Sequence, residues 1–167
     1  MDNVIIRDII QQLRDVENAN LWIDENFEKK LSQVNGETAF VRPISDLHSI
    51  AEITSHLIEW RKEVLSRLKG NPRGLEINDG ANWRTNEELQ QRRWENILND
   101  FHATQLQLII FLESKDDAYL CTSYPHADTT FPHDYKYMVT GLLHHDLYHL
   151  GQMGIVIKFL NQQQKGL

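Results

Sequence analysis

The chain has 167 residues, which suits one domain at roughly 150 residues per domain and allows a core without covalent staples. Hydrophobic residues make up 41% and charged residues 25%, a balance that excludes global disorder. Lysine and arginine total 17 against 24 acidic residues, for a net charge of −7, which argues against nucleic acid or an anionic membrane as the main partner.

Ile9, Leu13, Val16, Trp22, Ile23, Phe27 and Leu31 recur near the helical period, with one slip at Asn18–Asn20. They predict a first helix over about residues 3–33, stopped by Asn35-Gly36. After Pro43, Ser45 or Asp46 is the expected N-cap of a second helix. It carries Ile50, Ile53, Leu57, Trp60, Val64 and Leu68 and ends at Lys69-Gly70-Asn71-Pro72. Residues 71–84 read as a loop. Thr85-Asn86-Glu87-Glu88 then forms a capping box, and Leu89, Trp94, Ile97, Phe101, Leu108, Ile109 and Leu112 carry a third helix to about Ser114. A polar loop over 115–131 holds Tyr124-Pro125 and Asp128-Thr129-Thr130. The fourth helix starts near Pro132 and runs to about Asn161.

These elements predict an all-α fold, a four-helix bundle with long inter-helix connections at 70–84 and 115–131. One domain spans 1–167, with the tail 162–167 frayed. The single cysteine, Cys121, excludes an internal disulfide and a cysteine zinc site. No apolar run approaches the length of a membrane span. Acidic residues at Asp2 and Asp8 break up the start too early for a secretory signal, so a cytoplasmic location is expected.

Histidine is the unusual residue, with eight copies. His145 and His149 stand four apart, which places both imidazoles on one helix face, one turn apart. They share a stripe with Leu142, Gln152 and Val156 that should face the core. Buried imidazoles need partners, and a metal, carboxylates or water could supply them. His56, among Ile53, Leu57 and Trp60, is the best third ligand from another helix. His48 lies two turns earlier, and His102 and His144 sit about 100° from their stripes. His126 and His133 belong to a loop or a helix start. Asp146 stands where the zincin pattern has glutamate, and is expected to face sideways as a supporting or surface group.

Three local runs carry a family likeness: Ser49 to Trp60 with His56 and Trp60, Asn82-Trp83 ahead of the third helix, and His145-Asp146-Leu147-Tyr148-His149-Leu150-Gly151-Gln152. In these runs the chain resembles the DinB-like superfamily of damage-inducible, metal-binding four-helix bundle proteins. The resemblance implies a divalent metal held by His56, His145 and His149, points to Zn or Ni, and implies a homodimer. Characterised members include thiol-dependent transferases and isomerases, and others are described as hydrolases.

Three neutral ligands leave a metal its full charge and an open position, the layout of a catalytic site. The expected function is a metal-dependent enzyme that activates water or a low-molecular-weight thiol, a hydrolase or S-transferase acting on a small-molecule substrate. Glu52, Glu59, Tyr148 and Gln152 stand near enough in sequence to orient ligands or substrate, although packing roles suit them equally. The alternative is a non-catalytic, stress-related metal-binding bundle that acts through association, with Gly151 and Gly154 permitting a close helix approach. Arg61-Lys62 and Arg92-Arg93 sit beside glutamates and read as solvated helix faces, so no nucleic acid and no membrane is expected as partner. Trp60 and Trp94 read as core anchors and Cys121 as a bystander. Metal affinity is expected to fall as pH drops through about 6.5, the free-histidine value.

Overall fold

Polar caps decide where these helices begin. The computed structural model describes residues 3–71, 74–124 and 133–165. Helix α1 spans Val4–Asn18 and α2 Phe27–Leu31, so the expected single helix over 3–33 is broken. Asn26 explains the break: its side chain accepts from Lys29 N at 2.8 Å and donates to Ala19 O at 2.8 Å, starting a new helix while tying it to the end of the old one.

Helix α3, Ile50–Leu68, starts at Ser49 rather than at Ser45 or Asp46. Ser49 and Glu52 form a reciprocal capping box that satisfies two amides at once. A second box, Thr85 with Glu88, opens α4, Asn86–Arg92, at the expected place. The third helix does not run on, however. Arg93 adopts φ 67°, a left-handed conformation that ends α4, and α5 resumes at Trp94–Glu113. Inside the expected 115–131 loop lies a single turn, α6, Asp117–Leu120. Asp117 anchors it by accepting from the Ile5 and Ile6 amides at the exposed start of α1. Helix α7 spans Tyr135–Lys165 and so passes Asn161 into the expected tail. Pro125, His126, Asp128 to Thr130 and Pro132 lie outside the described residues, as do the last two positions of the tail.

Helix α3 packs on α5 and α7, and α1 packs on the same two. The order around the bundle is therefore α1, α5, α3, α7. Two connections cross a diagonal, α1 to α3 and α5 to α7, whereas the 69–85 connection joins neighbours. Phe27, Phe101, Leu13, Leu57, Ile97, Leu108 and Val139 fill the middle. Phe27 and Phe101 meet edge to face at 5.1 Å between centroids.

The centre also holds charge. Arg61 and Asp146 are both fully buried and pair at 2.9 Å, with Glu17 Oε2 3.6 Å from the same guanidinium. The guanidinium lies 4.0 Å from the Phe101 centroid. This corrects two expectations: Asp146 is not a surface group, and Arg61 belongs to no solvated face. Burial pushes the Asp146 carboxyl above its usual range, and Arg61 pulls the other way. Among the described residues, no helix is long and apolar enough to cross a membrane.

Candidate metal centre

The bundle brings His56 of α3 together with His145 and His149 of α7. One nitrogen from each lies within 4.8 Å of the others. His56 Nε2 is 2.9 Å from His145 Nε2, and His149 Nε2 is 3.1 Å from the same atom. His56 and His149 are buried and His145 is half-buried.

Proton accounting defines what these nitrogens can do. His56 Nδ1 faces the Asn82 carbonyl oxygen at 3.0 Å, so it must donate and leave Nε2 a bare lone pair. His149 Nδ1 faces Gln152 Oε1 at 2.7 Å, with the same result. Both lone pairs converge on His145 Nε2. A neutral His145 has at most one proton there, enough for one neighbour and not two. His145 Nδ1 is buried and has no partner among the described residues.

A metal ion between the rings could satisfy both lone pairs at once, which a single proton on His145 Nε2 does not. All three donors are imidazole nitrogens, a set that suits Zn, Ni, Cu and Fe alike. Around a tetrahedral Zn²⁺, ligand nitrogens about 2.0–2.1 Å from the ion lie about 3.3–3.4 Å apart. The two contacts to His145 Nε2 need to open by a few tenths of an ångström, while the remaining pair, within the 4.8 Å span of the set, needs to close. Orientation is already fixed for two of the three rings, the supporting role that outer hydrogen bonds play at metal sites.

Electrostatics keep the nitrogens free. Burial lowers His56 to about 4. Burial, then the neighbouring His149 and His56, lowers His145 to about 3. Burial also lowers His149, against the Gln152 hydrogen bond. In all three, burial favours the neutral imidazole.

The loop between α3 and α4 covers one side. Asn82 is held at four points: its amide donates to Asp79 O, its carbonyl takes His56, its side-chain oxygen accepts from Trp60 Nε1 at 2.9 Å, and its side-chain nitrogen donates to Ile77 O at 2.7 Å. Trp83 stacks on His56 at 3.9 Å and on His48 at 3.8 Å, so its indole lies between two imidazoles. A cavity of about 390 Å³ opens beside His56 and His145, walled by Trp60, Trp83, Val64, Met138 and Leu142. That volume lies at the small end of the range for small-molecule sites.

The other sequence candidates separate clearly. Gln152 orients His149. Glu52 is buried but turned to the Arg42 guanidinium and to the cap of α3, with His48 Nδ1 3.6 Å away. Tyr148 is 64% exposed, its ring 4.9 Å from that of His149 and edge-on to it. Glu59 is buried and takes the Lys62 ammonium at 3.1 Å. His102 bonds Glu17 at 2.5 Å on the far side of the core, and Glu17 raises its affinity for a proton. His133 stacks on Tyr137. A Cβ at Gly151 would meet nothing within 4 Å, and one at Gly154 would meet only the Lys30 side chain, so neither glycine marks a close helix approach within the bundle. Trp94 is a core anchor, while Trp60 is half-buried at the cavity. Sequence reasoning passed over the roles of Asn82 and Trp83. Their position just ahead of a capping box was the available signal.

A family model described as the DinB superfamily matches residues 22–153. The chain belongs to the DinB superfamily. No curated protein matches it. Among solved structures, a conserved protein from Enterococcus faecalis aligns with a TM-score of 0.63 at 14% identity, covering 93% of this chain and 92% of that one. The colibactin self-resistance protein ClbS, solved in complex with dsDNA, aligns with a TM-score of 0.54 at 18% identity, covering 98% and 93%. ClbS corrects the expectation that nucleic acid is excluded as a partner. A protein of this fold engages duplex DNA, and a net charge of −7 sums over a whole surface without describing any one face.

Proposed function

We propose that this chain is a divalent-metal-dependent enzyme in which His56, His145 and His149 hold the ion and the adjoining cavity takes a small-molecule substrate. The reaction class is hydrolysis or transfer to a low-molecular-weight thiol. The observation that carries the reading is the proton shortfall: two oriented lone pairs aim at a nitrogen that can answer only one of them. When bound, a divalent ion supplies Lewis-acid activation of water or a thiol near neutral pH.

The protein's own groups do the rest. Asn82 and Gln152 fix the rings of His56 and His149, so the ligand set is assembled in advance. Trp83 and Trp60 wall the cavity beside the histidines with apolar ring surface. No other nucleophile pairs with a base at this site among the described residues, which favours a mechanism centred on the ion.

Elemental analysis of untagged protein tests the reading. About one metal per chain is expected in the wild type and essentially none in His145→Ala/His149→Ala. A chain that takes up no Zn or Ni on reconstitution refutes it. Loaded protein is then screened with ester and thiol-transfer substrates, and turnover that survives loss of the metal refutes the catalytic part.

A second reading, favoured by the DNA complex of ClbS, is a non-catalytic metal-binding bundle that acts through association with duplex DNA. Salt-sensitive retardation of a duplex in a gel, without turnover of any screened substrate, supports it.

A further inference from the structure

The cavity beside the histidines has a second end with different chemistry. His56, Trp60, Glu63 and Arg67 all line it and follow one another on α3 at spacings of four, three and four. They form a single stripe about three turns long, and His56 and Arg67 are separated by about 16 Å of axial rise. Helix α7 supplies the facing wall and runs the opposite way. His48 and Ile53 share a small pocket with Gln152 and Val156, whereas Val64 and Arg67 share the large one with Met138 and Gly141. The cavity is therefore a groove with imidazoles at one end, a guanidinium at the other and apolar side chains between.

Arg67 is prepared to receive a ligand. Its Nε donates to Glu63 Oε1 at 2.6 Å, and Glu63 Oε2 accepts from Leu75 N at 3.3 Å. Glu63 is fully buried and has both oxygens engaged, so it orients Arg67 and offers nothing itself. Among the described residues no other group pairs with Arg67, which leaves both terminal nitrogens for an acceptor. The side chain is 30% exposed, so this end of the groove meets solvent.

We propose that the groove binds small molecules with an apolar body and one carboxylate, the carboxylate held by Arg67 and the opposite end presented to the three histidines. A carboxylate fits because a planar guanidinium edge binds it through two parallel hydrogen bonds. A dianionic phosphate fits poorly, because Glu63 already offsets the single positive charge. Trp60, Val64, Leu142 and Met138 contact the apolar body. The reaction at the histidine end rests on the metal reading above. Recognition at the Arg67 end does not, and it can be measured without metal.

The test uses phenylhexanoate and the matching phenylhexanamide, titrated into apo and Zn-loaded protein. Tryptophan emission from Trp60 and Trp83 and calorimetry report binding. The acid is expected to bind at least about ten-fold tighter than the amide in both forms, the size of one charge-assisted contact. That preference is expected to vanish in Arg67→Gln, and equally in Glu63→Gln/Arg67→Gln, which leaves no stranded carboxylate. Gly141 lines the groove and has open space in front of it, so Gly141→Leu is expected to fold, keep its metal and lose both probes. Equal binding of acid and amide overturns the proposal. So does a preference that survives in Arg67→Gln, tighter binding of a phenylalkyl phosphate, or no binding of either probe at millimolar concentration. Failure to take up metal overturns the metal reading alone, because the acid-to-amide ratio is read in the apo form as well.

Discussion

Removing Arg61 should be the most damaging single change in the core. Its side chain is fully buried, 2.9 Å from Asp146 and 3.6 Å from Glu17, and its guanidinium lies over Phe101. Arg61→Met keeps much of the volume and the apolar contact with Phe101, but strands Asp146 with no cation. Breaking a buried pair in this way costs about 3–5 kcal/mol. With a urea slope of roughly 2 kcal/mol/M, the midpoint should fall by about 1.5–2.5 M. The double variant Arg61→Met/Asp146→Leu should recover most of that loss, because no buried charge is left at position 146. The sign of the pH dependence follows from Asp146. Burial already raises its folded pKa above the unfolded value, and loss of Arg61 raises it further. The folded variant therefore binds more protons than the unfolded chain, so its stability grows as pH falls toward the usual carboxylate range. The gap between variant and wild type should be smaller at pH 5 than at pH 7.5. Urea titrations at both pH values give the answer. A loss under about 1 kcal/mol, or a double variant no better than the single one, would refute the reasoning.

Gln152→Leu removes the acceptor that fixes His149, and competition with a chromophoric chelator should show metal affinity lowered about 10- to 100-fold. Burial holds His56 near 4 and His145 near 3, so metal retention should stay high well below pH 6.5, the value expected for free histidine. For the same groups the folded pKa lies below the unfolded one. Apo stability should therefore be full above about pH 6.5 and decline as pH falls toward 4, read by thermal melts across that range. Ser49→Ala breaks the capping box of α3 and should cost about 1 kcal/mol in chemical denaturation. Gly151→Ala meets no neighbour and should stabilise by up to about 1 kcal/mol, so a loss of stability there would point to a partner on that face.

The candidate site was readable because its signals are local. The spacing of His145 and His149 and the apolar company of His56 place three rings on inward faces, and the bundle closes them on one point. Gln152 was readable for the same reason, lying one turn beyond the ring it orients. The breaks in the first and third helices were harder to see. Asn26 looks like any polar residue until its side chain is found bridging to Ala19, and Arg93 gives no hint that it will adopt a conformation suited to glycine. Arg61 and Asp146 were misplaced because an isolated charge looks solvated. Only the packing of α3 against α7 and α5 shows that each charge has its counterpart inside. Glu52 stands one turn from His56, but Arg42 and the Ser49 amide claim it first, the packing role that the sequence leaves equally open.

Asn82 ties the loop to the histidines through one carbonyl, and thermodynamic linkage makes that tie reciprocal. On the metal reading, whatever settles the 74–85 segment into place should strengthen the hold on an ion, and an ion should in turn stiffen the segment. A ligand resting on Trp60 and Trp83 should thus tighten retention of a metal at the three histidines without touching it. The effect would show as slower amide exchange across the loop when either is bound, and slower still when both are.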